Sequence, residues 1–238
     1  MLSADLARRA LAEALGTGLL VLAVIGSGIA ASRLSPSDTG LQLLENAAAT
    51  AAALVAIILA LGPVSGAHLN PAVTVATRAL GGLGTREAGI YVGAQVTGGT
   101  AGAIAANLMF SLPAVELSGT DRSSLALWTS EVVATFGLLL VILGVARSGR
   151  ASAAPFAVGA YIGGAYFFTS STSFANPAVT LARMLSDTFA GISPGSVPPF
   201  VIAQFAGMAL AIGAARVLYP AAEAEAEKAA PEVVLPHG

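Results

Sequence analysis

Residues 65–76 of this chain read SGAHLNPAVTVA, and residues 171–182 repeat that segment as STSFANPAVTLA. From each asparagine onward, the seven residues differ at one position only, where Val75 corresponds to Leu181. Two further pairs keep nearly the same spacing: Glu13 corresponds to Glu131, and Gln95 corresponds to Gln204. Repeats of this kind predict a duplicated architecture in which each half of the chain carries one copy of the segment.

Each Asn-Pro-Ala triplet has the sequence of a helix start. Asparagine is a favoured N-cap, and proline is favoured at the first helical position, where its missing N–H would be unpaired in any case. The spacing predicts short helices over Pro71–Ala79 and Pro177–Leu185, which are too short to cross a bilayer. Irregular chain precedes them, at residues 62–69 and 169–175. Non-helical backbone at membrane depth is tolerated only where it is buried in protein or lines a water-filled cavity.

The composition places the whole chain in a membrane. Of its 238 residues, 55% are hydrophobic and 10% are charged, and the mean hydropathy is +0.80. Soluble domains carry about 25% charged residues. The absence of cysteine excludes disulfides, thiolate metal sites and cysteine nucleophiles, and a net charge of −2 does not favour nucleic acid as a partner. No nucleophile–base pair or His–Glu metal pattern occurs in the apolar runs, so we predict neither an enzyme nor a bound cofactor or metal.

Charged residues divide the chain into apolar runs that are long enough to be membrane-spanning helices. Six such spans are predicted, at about residues 11–31, 43–61, 88–110, 125–146, 153–169 and 199–218. They form two repeats, at about 4–112 and 122–220, and residues 221–238 are predicted to be a disordered cytoplasmic tail. Because each repeat has an odd number of spans, the second copy must lie inverted in the membrane. The predicted fold class is therefore all-α, with six transmembrane helices and two re-entrant half-helices.

The distribution of basic residues predicts the orientation. An even number of spans places both termini on the same side of the membrane. That side holds eight positive residues: Arg8, Arg9, Arg78, Arg86, Arg147, Arg150, Arg216 and Lys228. The other side holds three, Arg33, Arg122 and Arg183. Since positive residues are enriched on the cytoplasmic side, both termini are predicted to be cytoplasmic, in an inner (cell) membrane.

Half-helices that enter from opposite faces meet near the midplane with their N-termini together. Their dipoles concentrate positive potential at that point, which repels cations and protons. If the side-chain oxygens of Asn70 and Asn176 serve as caps, their amide NH₂ groups are free to donate to a passing neutral molecule. The pattern predicts a pore for small neutral solutes. The two triplets are its predicted pore residues: Asn70, Pro71 and Ala72, and Asn176, Pro177 and Ala178.

At these residues the sequence resembles the aquaporin, or major intrinsic protein, family, from about residue 4 to residue 220. Both Asn-Pro-Ala triplets, the SGAH segment before the first, and the paired glutamates and glutamines all match. The resemblance implies a right-handed bundle of six helices and two half-helices, a homotetramer in the lipid bilayer with one pore per subunit, and passive conduction.

Glu13 and Glu131 each have two open interpretations. A carboxylate inside a membrane span is a functional hypothesis by default, which here would be a proton relay or an ion-coupling site. The other interpretation is a buried acceptor for backbone N–H groups of the two loops, and the family resemblance favours it. His68 is likewise open between lining the cytoplasmic vestibule and bracing its loop.

The resemblance also points to an outer constriction, formed in the family by four residues that include an arginine directly after the second Asn-Pro-Ala. When the family's spacing is counted from Asn70 and Asn176, the four positions correspond to Thr50, Gly164, Ser173 and Val179. The chain thus replaces the arginine by Val179, which predicts a wider opening without a guanidinium at that level. Arg183 lies four residues farther along the half-helix. It is predicted either to place a positive group in the outer vestibule or to snorkel at the edge of the bundle.

The function predicted from these features is a passive channel for glycerol-like polyols and water. Metalloid hydroxides such as arsenite, and methylated arsenicals, are further candidate solutes, because some bacterial family members that lack the arginine are associated with them. The alternatives are a water-selective aquaporin and an ion-coupled secondary transporter, since inverted repeats also occur in transporters. A formate or nitrite type channel shares the architecture but not the two Asn-Pro-Ala triplets.

Overall fold

The computed structural model describes residues 3–220, and regular structure within that range is helical throughout. The predicted tail, residues 221–238, lies outside the described residues. Two short 3₁₀ turns, Ala151–Ala153 and Pro194–Ser196, precede the sixth and eighth of the α-helices. The α-helices are α1 (Ala4–Leu34), α2 (Thr39–Ser65), α3 (Pro71–Ala79), α4 (Thr85–Met109), α5 (Leu125–Arg147), α6 (Ala154–Phe168), α7 (Pro177–Arg183) and α8 (Val197–Leu218).

Six long helices occupy the positions of the predicted spans. Five of them, α1, α2, α5, α6 with its preceding turn, and α8, are long and apolar enough to cross a membrane. The sixth, α4, has 25 residues, which at 1.5 Å per residue gives a length of roughly 37 Å. Glycines and buried polar residues such as Gln95 lower its apolar content, and the buried ones among them, including Gly98 and Gly102, face other helices. The predicted all-α fold with an inverted repeat is confirmed.

The two half-helices begin as the sequence predicts. Asn70 caps α3 and Asn176 caps α7, each through its side-chain oxygen, and proline follows at the first helical position. Helix α3 has the predicted bounds, whereas α7 ends at Arg183, two residues earlier than expected. The two half-helices contact each other, so their N-termini meet inside the bundle.

Helices α1 and α4 pack most closely, because glycines remove the side chains between them. A Cβ atom at Gly98 would lie 2.6 Å from the carbonyl carbon of Ala14. Gly102 stands in the same relation to Gly18, where a Cβ would lie 2.9 Å from the carbonyl carbon. In the second repeat, Gly207 of α8 has the same role against α5. Small residues at such crossings allow helix backbones to approach each other in a membrane.

The bundle has two ends, and the helix order assigns each segment to one of them. The first mouth lies on the side where α1 begins and α8 ends. The second mouth lies on the side where α1 ends and α8 begins. Helix α3 ends toward the first mouth and α7 toward the second, because the second repeat is inverted relative to the first.

Candidate functional site

A cavity of about 220 Å³ lies along the axis of the bundle, between the two mouths. Helices α1, α2, α5 and α6 line it mainly with apolar side chains, and the two half-helices with their preceding loops supply most of its polar groups. Its polar side chains are Thr50, His68, Asn70, Thr77, Tyr166, Ser173, Asn176 and Arg183. A cavity of this composition suits a solute that carries both hydrogen-bonding and apolar surface.

The two capping asparagines are joined reciprocally across the middle of the cavity. Nδ2 of Asn70 donates to the carbonyl of Ala175 at 2.8 Å, and Nδ2 of Asn176 donates to the carbonyl of Leu69 at 2.7 Å. Their Oδ1 atoms accept from the backbone N–H groups that follow. The sequence predicted free NH₂ groups, whereas each NH₂ gives one hydrogen to the other loop. The second hydrogen of each amide is left for a solute.

The other residues of the two triplets do not line the cavity, so their prediction as pore residues is corrected. They are all buried in the first turns of α3 and α7: Pro71, Ala72, Pro177 and Ala178. Val73 and Val179 face the cavity instead. Adjacent helical residues point about 100° apart, so the alanine before each valine is turned away from the cavity.

The two alanines act on the pore through their backbone. The N–H of Ala72 donates to Oδ1 of Asn70 at 2.9 Å, and the N–H of Ala178 donates to Oδ1 of Asn176 at 3.0 Å. Their side chains are 0% and 1% exposed, respectively. Ala72 and Ala178 therefore orient the asparagine amides, and the asparagines alone present triplet side chains to a solute.

The loops before the half-helices have the same unusual backbone in both repeats. Ala67 and Leu69 have φ of 45° and 52°, and their counterparts Ser173 and Ala175 have φ of 52° and 48°. Left-handed values are uncommon in non-glycine residues and are held only where surrounding contacts fix them. These four residues flank the asparagine pair, so the strained backbone lies where the two loops meet.

Glu13 and Glu131 supply the contacts that hold these loops. Each side chain is fully buried. Glu13 accepts from the backbone N–H groups of His68 and Leu69 at 2.9 and 2.7 Å. Glu131 accepts from those of Phe174 and Ala175, both at 2.9 Å.

Glutamine side chains complete the two glutamate networks. Gln95 donates to Glu13 and to Thr74, and Gln204 donates to Glu131 and to Thr180. Both carboxylates are thus occupied by donors from the loops and helices around them. This geometry supports the loop-support interpretation over the proton-relay interpretation.

Ser65 allows this network to be tested with a small change. Its hydroxyl donates to Glu13 at 2.7 Å and accepts from the N–H of Ala67 at 3.1 Å. We expect Ser65→Ala to lower the free energy of unfolding by about 1.5–3 kcal/mol, because a buried carboxylate loses a donor. Thermal unfolding of the purified chain measures the change, and Ser37→Ala in an exposed turn is the control. Equal melting temperatures for both variants would contradict the network's role.

At the first mouth, His68 both lines the cavity and braces its loop. Its Nδ1 lies 3.1 Å from Oγ1 of Thr74, and its ring meets the ring of Tyr91 edge-on, with centroids 5.4 Å apart. Tyr91 in turn accepts from Arg9 at 2.7 Å, and Arg9 forms an ion pair with Glu87 at 3.0 Å. The two roles that the sequence left open for His68 therefore coexist.

Near the second mouth, the cavity is lined by side chains from α2, α6, α7 and the second loop. Thr50 and Tyr166 are buried, and their hydroxyl oxygens lie 3.1 Å apart. Ser173 and Val179 face the same cavity and are each 4% exposed. The wall here combines hydroxyl groups with aliphatic carbon.

Comparison with known proteins identifies the family to which this architecture belongs. Residues 1–173 match the family described as Major intrinsic protein. The chain belongs to the major intrinsic protein family. The aquaglyceroporin AqpS of Rhizobium meliloti (strain 1021) is 50% identical over 228 residues, which cover 96% of this chain and 97% of the relative. The probable aquaporin AqpM of Archaeoglobus fulgidus is 31% identical over 229 residues, covering 85% of this chain and 93% of the relative.

A solved structure agrees with the fold. The X-ray structure of the aquaglyceroporin from Plasmodium falciparum matches with a TM-score of 0.71 and 20% sequence identity. The match covers 92% of this chain and 99% of that one. At this identity the likeness shows the fold alone.

In this major intrinsic protein, the prediction that Gly164 lines the constriction is wrong. Gly164 is exposed on the outer face of α6, and Val158, Ile162 and Tyr166 line the cavity instead. Helical residues two positions apart point about 200° away from each other, so Ile162 and Tyr166 facing inward turn Gly164 outward. The predicted small wall at this position is therefore a tyrosine held by Thr50.

The structure also settles where Arg183 of this family member lies. Its side chain is 3% exposed and lines the cavity, with the guanidinium carbon 3.4 Å from the centre of the Phe174 ring. Its Nε donates to the carbonyl of Ala190. The snorkelling interpretation is therefore wrong, and a guanidinium enters the cavity wall one turn beyond Val179.

Proposed function

We propose that this protein is a passive membrane channel, and not an enzyme, that conducts small neutral solutes: glycerol-like polyols and water. The observation that carries the proposal is the reciprocal pairing of Asn70 and Asn176 across an axial cavity. Two half-helix N-termini at one point repel cations. The remaining amide hydrogens serve a molecule that donates and accepts hydrogen bonds as it moves.

The second mouth supports polyols over strict water selectivity. Thr50, Tyr166 and Ser173 offer hydroxyl groups, while Val179 and Ile162 offer apolar surface. A polyol has hydroxyl groups along one edge and C–H groups along the other. Its hydroxyl edge can bond to the hydroxyl groups of this wall while its C–H edge contacts the apolar side chains. The hydrogen bond between Thr50 and Tyr166 fixes the tyrosine side chain in this wall. The name aquaglyceroporin, carried by the relative AqpS, agrees with this proposal.

Metalloid hydroxides form a second group of proposed solutes. Arsenite is a neutral polyhydroxy species near pH 7 and is chemically similar to a small polyol, and methylated arsenicals add an apolar face. We propose Thr50, Ser173, Val179 and Arg183, with Tyr166 in place of Gly164, as the residues that select among these solutes.

The membrane setting is part of the proposal. Within residues 3–220, the first-mouth side holds Arg8, Arg9, Arg78, Arg86, Arg147, Arg150 and Arg216, and the second-mouth side holds Arg33, Arg122 and Arg183. This asymmetry supports an inner-membrane protein with both termini in the cytoplasm. Exposed apolar side chains on the outer faces of the helices suit contact with lipid or with other copies in a homotetramer.

Stopped-flow light scattering tests the channel proposal. The purified chain in liposomes is challenged with osmolytes of graded size, and we expect glycerol to enter at a rate within about tenfold of water. Liposomes without protein are the control. Vesicles that pass water and reject glycerol would show a water-selective aquaporin instead. Solute uptake that requires a sodium or proton gradient would show a secondary transporter.

A further inference from the structure

Two guanidinium groups share one aromatic ring at the second mouth. The guanidinium carbon of Arg183 lies 3.4 Å from the centre of the Phe174 ring, and that of Arg122 lies 5.1 Å from it. Arg183 is the last residue of α7, and Arg122 precedes α5. The two groups can be no farther apart than the sum of these distances. Two like charges are thus held together at the end of the cavity.

The backbone fixes both side chains in this arrangement. Nε of Arg183 donates to the carbonyl of Ala190, and Nε of Arg122 donates to the next carbonyl, that of Gly191, at 2.9 Å. Among residues 3–220, the terminal nitrogens of neither guanidinium have a hydrogen-bond acceptor. Arg183 is nevertheless buried against the cavity. The unpartnered nitrogens of the two guanidiniums are not among the fully enclosed polar atoms of the described residues, so they remain accessible to a ligand.

Nearby carboxylates do not neutralise the pair. In the described part of the chain, no carboxylate oxygen lies within 4 Å of either guanidinium. Hydrogen bonds from Ser123 and Ser196 lower the pKa of Asp121 below its ordinary value, and that ionised group is directed at these donors.

Two other carboxylates at this end are also occupied. Asp187 accepts from the hydroxyl of Ser118 and from the N–H of Gly119. Glu131 is occupied by two loop N–H groups and Gln204. None of these carboxylates forms an ion pair with Arg122 or Arg183 within the described residues.

The first mouth provides an internal comparison. Arg9 stacks on Tyr91 at 5.3 Å, much as Arg122 stacks on Phe174. Arg9, however, has an acidic partner, Glu87, at 3.0 Å. The protein therefore supplies a counter-charge to the stacked arginine at one end of the cavity and leaves the pair at the other end without one.

Ser173 adds an independent observation. Its hydroxyl is buried, lines the same cavity, and has no hydrogen-bond partner in residues 3–220. A buried hydroxyl without a partner, next in sequence to the ring that carries both guanidiniums, indicates a group that comes from outside the chain.

We propose that the second mouth contains a binding site for a small monovalent oxyanion, of the class of nitrate or formate. Arg122 and Arg183 hold the anion through their terminal nitrogens, which suit the oxygens of a planar oxyanion. Ser173 donates a further hydrogen bond. A bound anion supplies the acceptor and the counter-charge that these two guanidiniums lack among the described residues. The site shares Ser173 and Arg183 with the residues proposed to select solutes, but its test measures anion binding and not conduction, so either proposal can fail without the other.

Nitrate binding to the full chain in detergent tests this site. Sodium nitrate replaces sodium gluconate at constant ionic strength, and isothermal titration calorimetry measures the heat. We expect a saturable isotherm for the unmodified chain and a dissociation constant raised on the order of tenfold in Arg122→Gln. Arg122→Lys keeps the positive charge but loses the planar pair of terminal N–H donors. Its nitrate affinity should lie between that of the unmodified chain and that of Arg122→Gln. Arg183→Gln should show no saturable heat.

Arg33→Gln is the matched control. Arg33 also lies on the second-mouth side, stacks on Phe110 at 5.2 Å and donates to a backbone carbonyl at 2.8 Å, but it is exposed. Its replacement should leave nitrate affinity unchanged. Absence of saturable binding in the unmodified chain, or equal affinity in the Arg122→Gln chain, would overturn the site. Circular dichroism establishes that each variant is folded.

Nanodiscs distinguish a free anion from a lipid headgroup. Binding is repeated in phosphatidylcholine alone and with added phosphatidylglycerol. Equal nitrate affinity in both supports a site for a free anion. Affinity that disappears with phosphatidylglycerol would show that the headgroup occupies the site, and would overturn the proposal.

Discussion

Val179→Arg is expected to reduce glycerol permeability on the order of a hundredfold while water permeability falls much less. Val179 faces the cavity beside Ser173, and a guanidinium at this position would fill the space that the valine leaves. Arg183 lies one turn farther along α7, so the new side chain cannot retreat toward the second mouth without approaching a like charge. Light scattering on proteoliposomes gives the ratio of glycerol to water permeability when both are measured on the same preparation.

Val179→Thr is the control for this experiment. Threonine has nearly the shape of valine and adds no charge, and its hydroxyl would face the cavity, so the glycerol rate should stay within about twofold of the unmodified chain. If glycerol permeability is unaffected by Val179→Arg, Val179 is not at the narrowest part of the pore. Equal losses in water and glycerol would instead point to a misfolded channel.

Gly98→Ala is expected to have the largest effect on stability. A methyl group at this position would lie 2.6 Å from the carbonyl carbon of Ala14 and 2.7 Å from its Cα, so the backbones of α1 and α4 must separate. Overpacking that moves backbone costs about 3 kcal/mol. We therefore expect a clear decrease in melting temperature and in the yield of monodisperse protein, measured by thermal unfolding and size-exclusion chromatography.

Gly93→Ala on the same helix is the matched control. A Cβ atom at Gly93 has no heavy atom within 4 Å, and the residue is exposed. Because alanine favours helices over glycine by about 1 kcal/mol, this change should leave stability equal or raise it. A decrease of the same size in both variants would show that the close crossing of α1 and α4 is not the cause.

Much of the architecture could be predicted from local sequence. Asparagine followed by proline favours a helix start through local capping, and α3 has the predicted bounds. The six spans follow from apolar runs, because a bilayer requires about 20 such residues per helix. The inversion follows from counting an odd number of spans in each repeat.

The lining of the second mouth could not be predicted in the same way. Gly164 lies twelve residues before Asn176, but counting back through the irregular loop between them does not fix the rotation of the preceding helix. The every-fourth-residue pattern of Val158, Ile162 and Tyr166 is the sequence signal that identifies the inward face of α6. The sequence does not decide between the two positions predicted for Arg183, because its burial depends on Phe174 and Ala190, which come from separate loops.

The reciprocal asparagine pairing has a consequence for synthesis of the chain. The acceptor for Asn70 is the carbonyl of Ala175, which lies 105 residues farther along the sequence. At about 5–20 residues per second, the ribosome needs roughly 5–20 s to reach it. During that interval the hydrogen bond between Asn70 and Ala175 cannot form, because its acceptor has not yet been synthesised. The nascent first repeat is therefore an obligate intermediate that reaches its final structure only when the second repeat inserts.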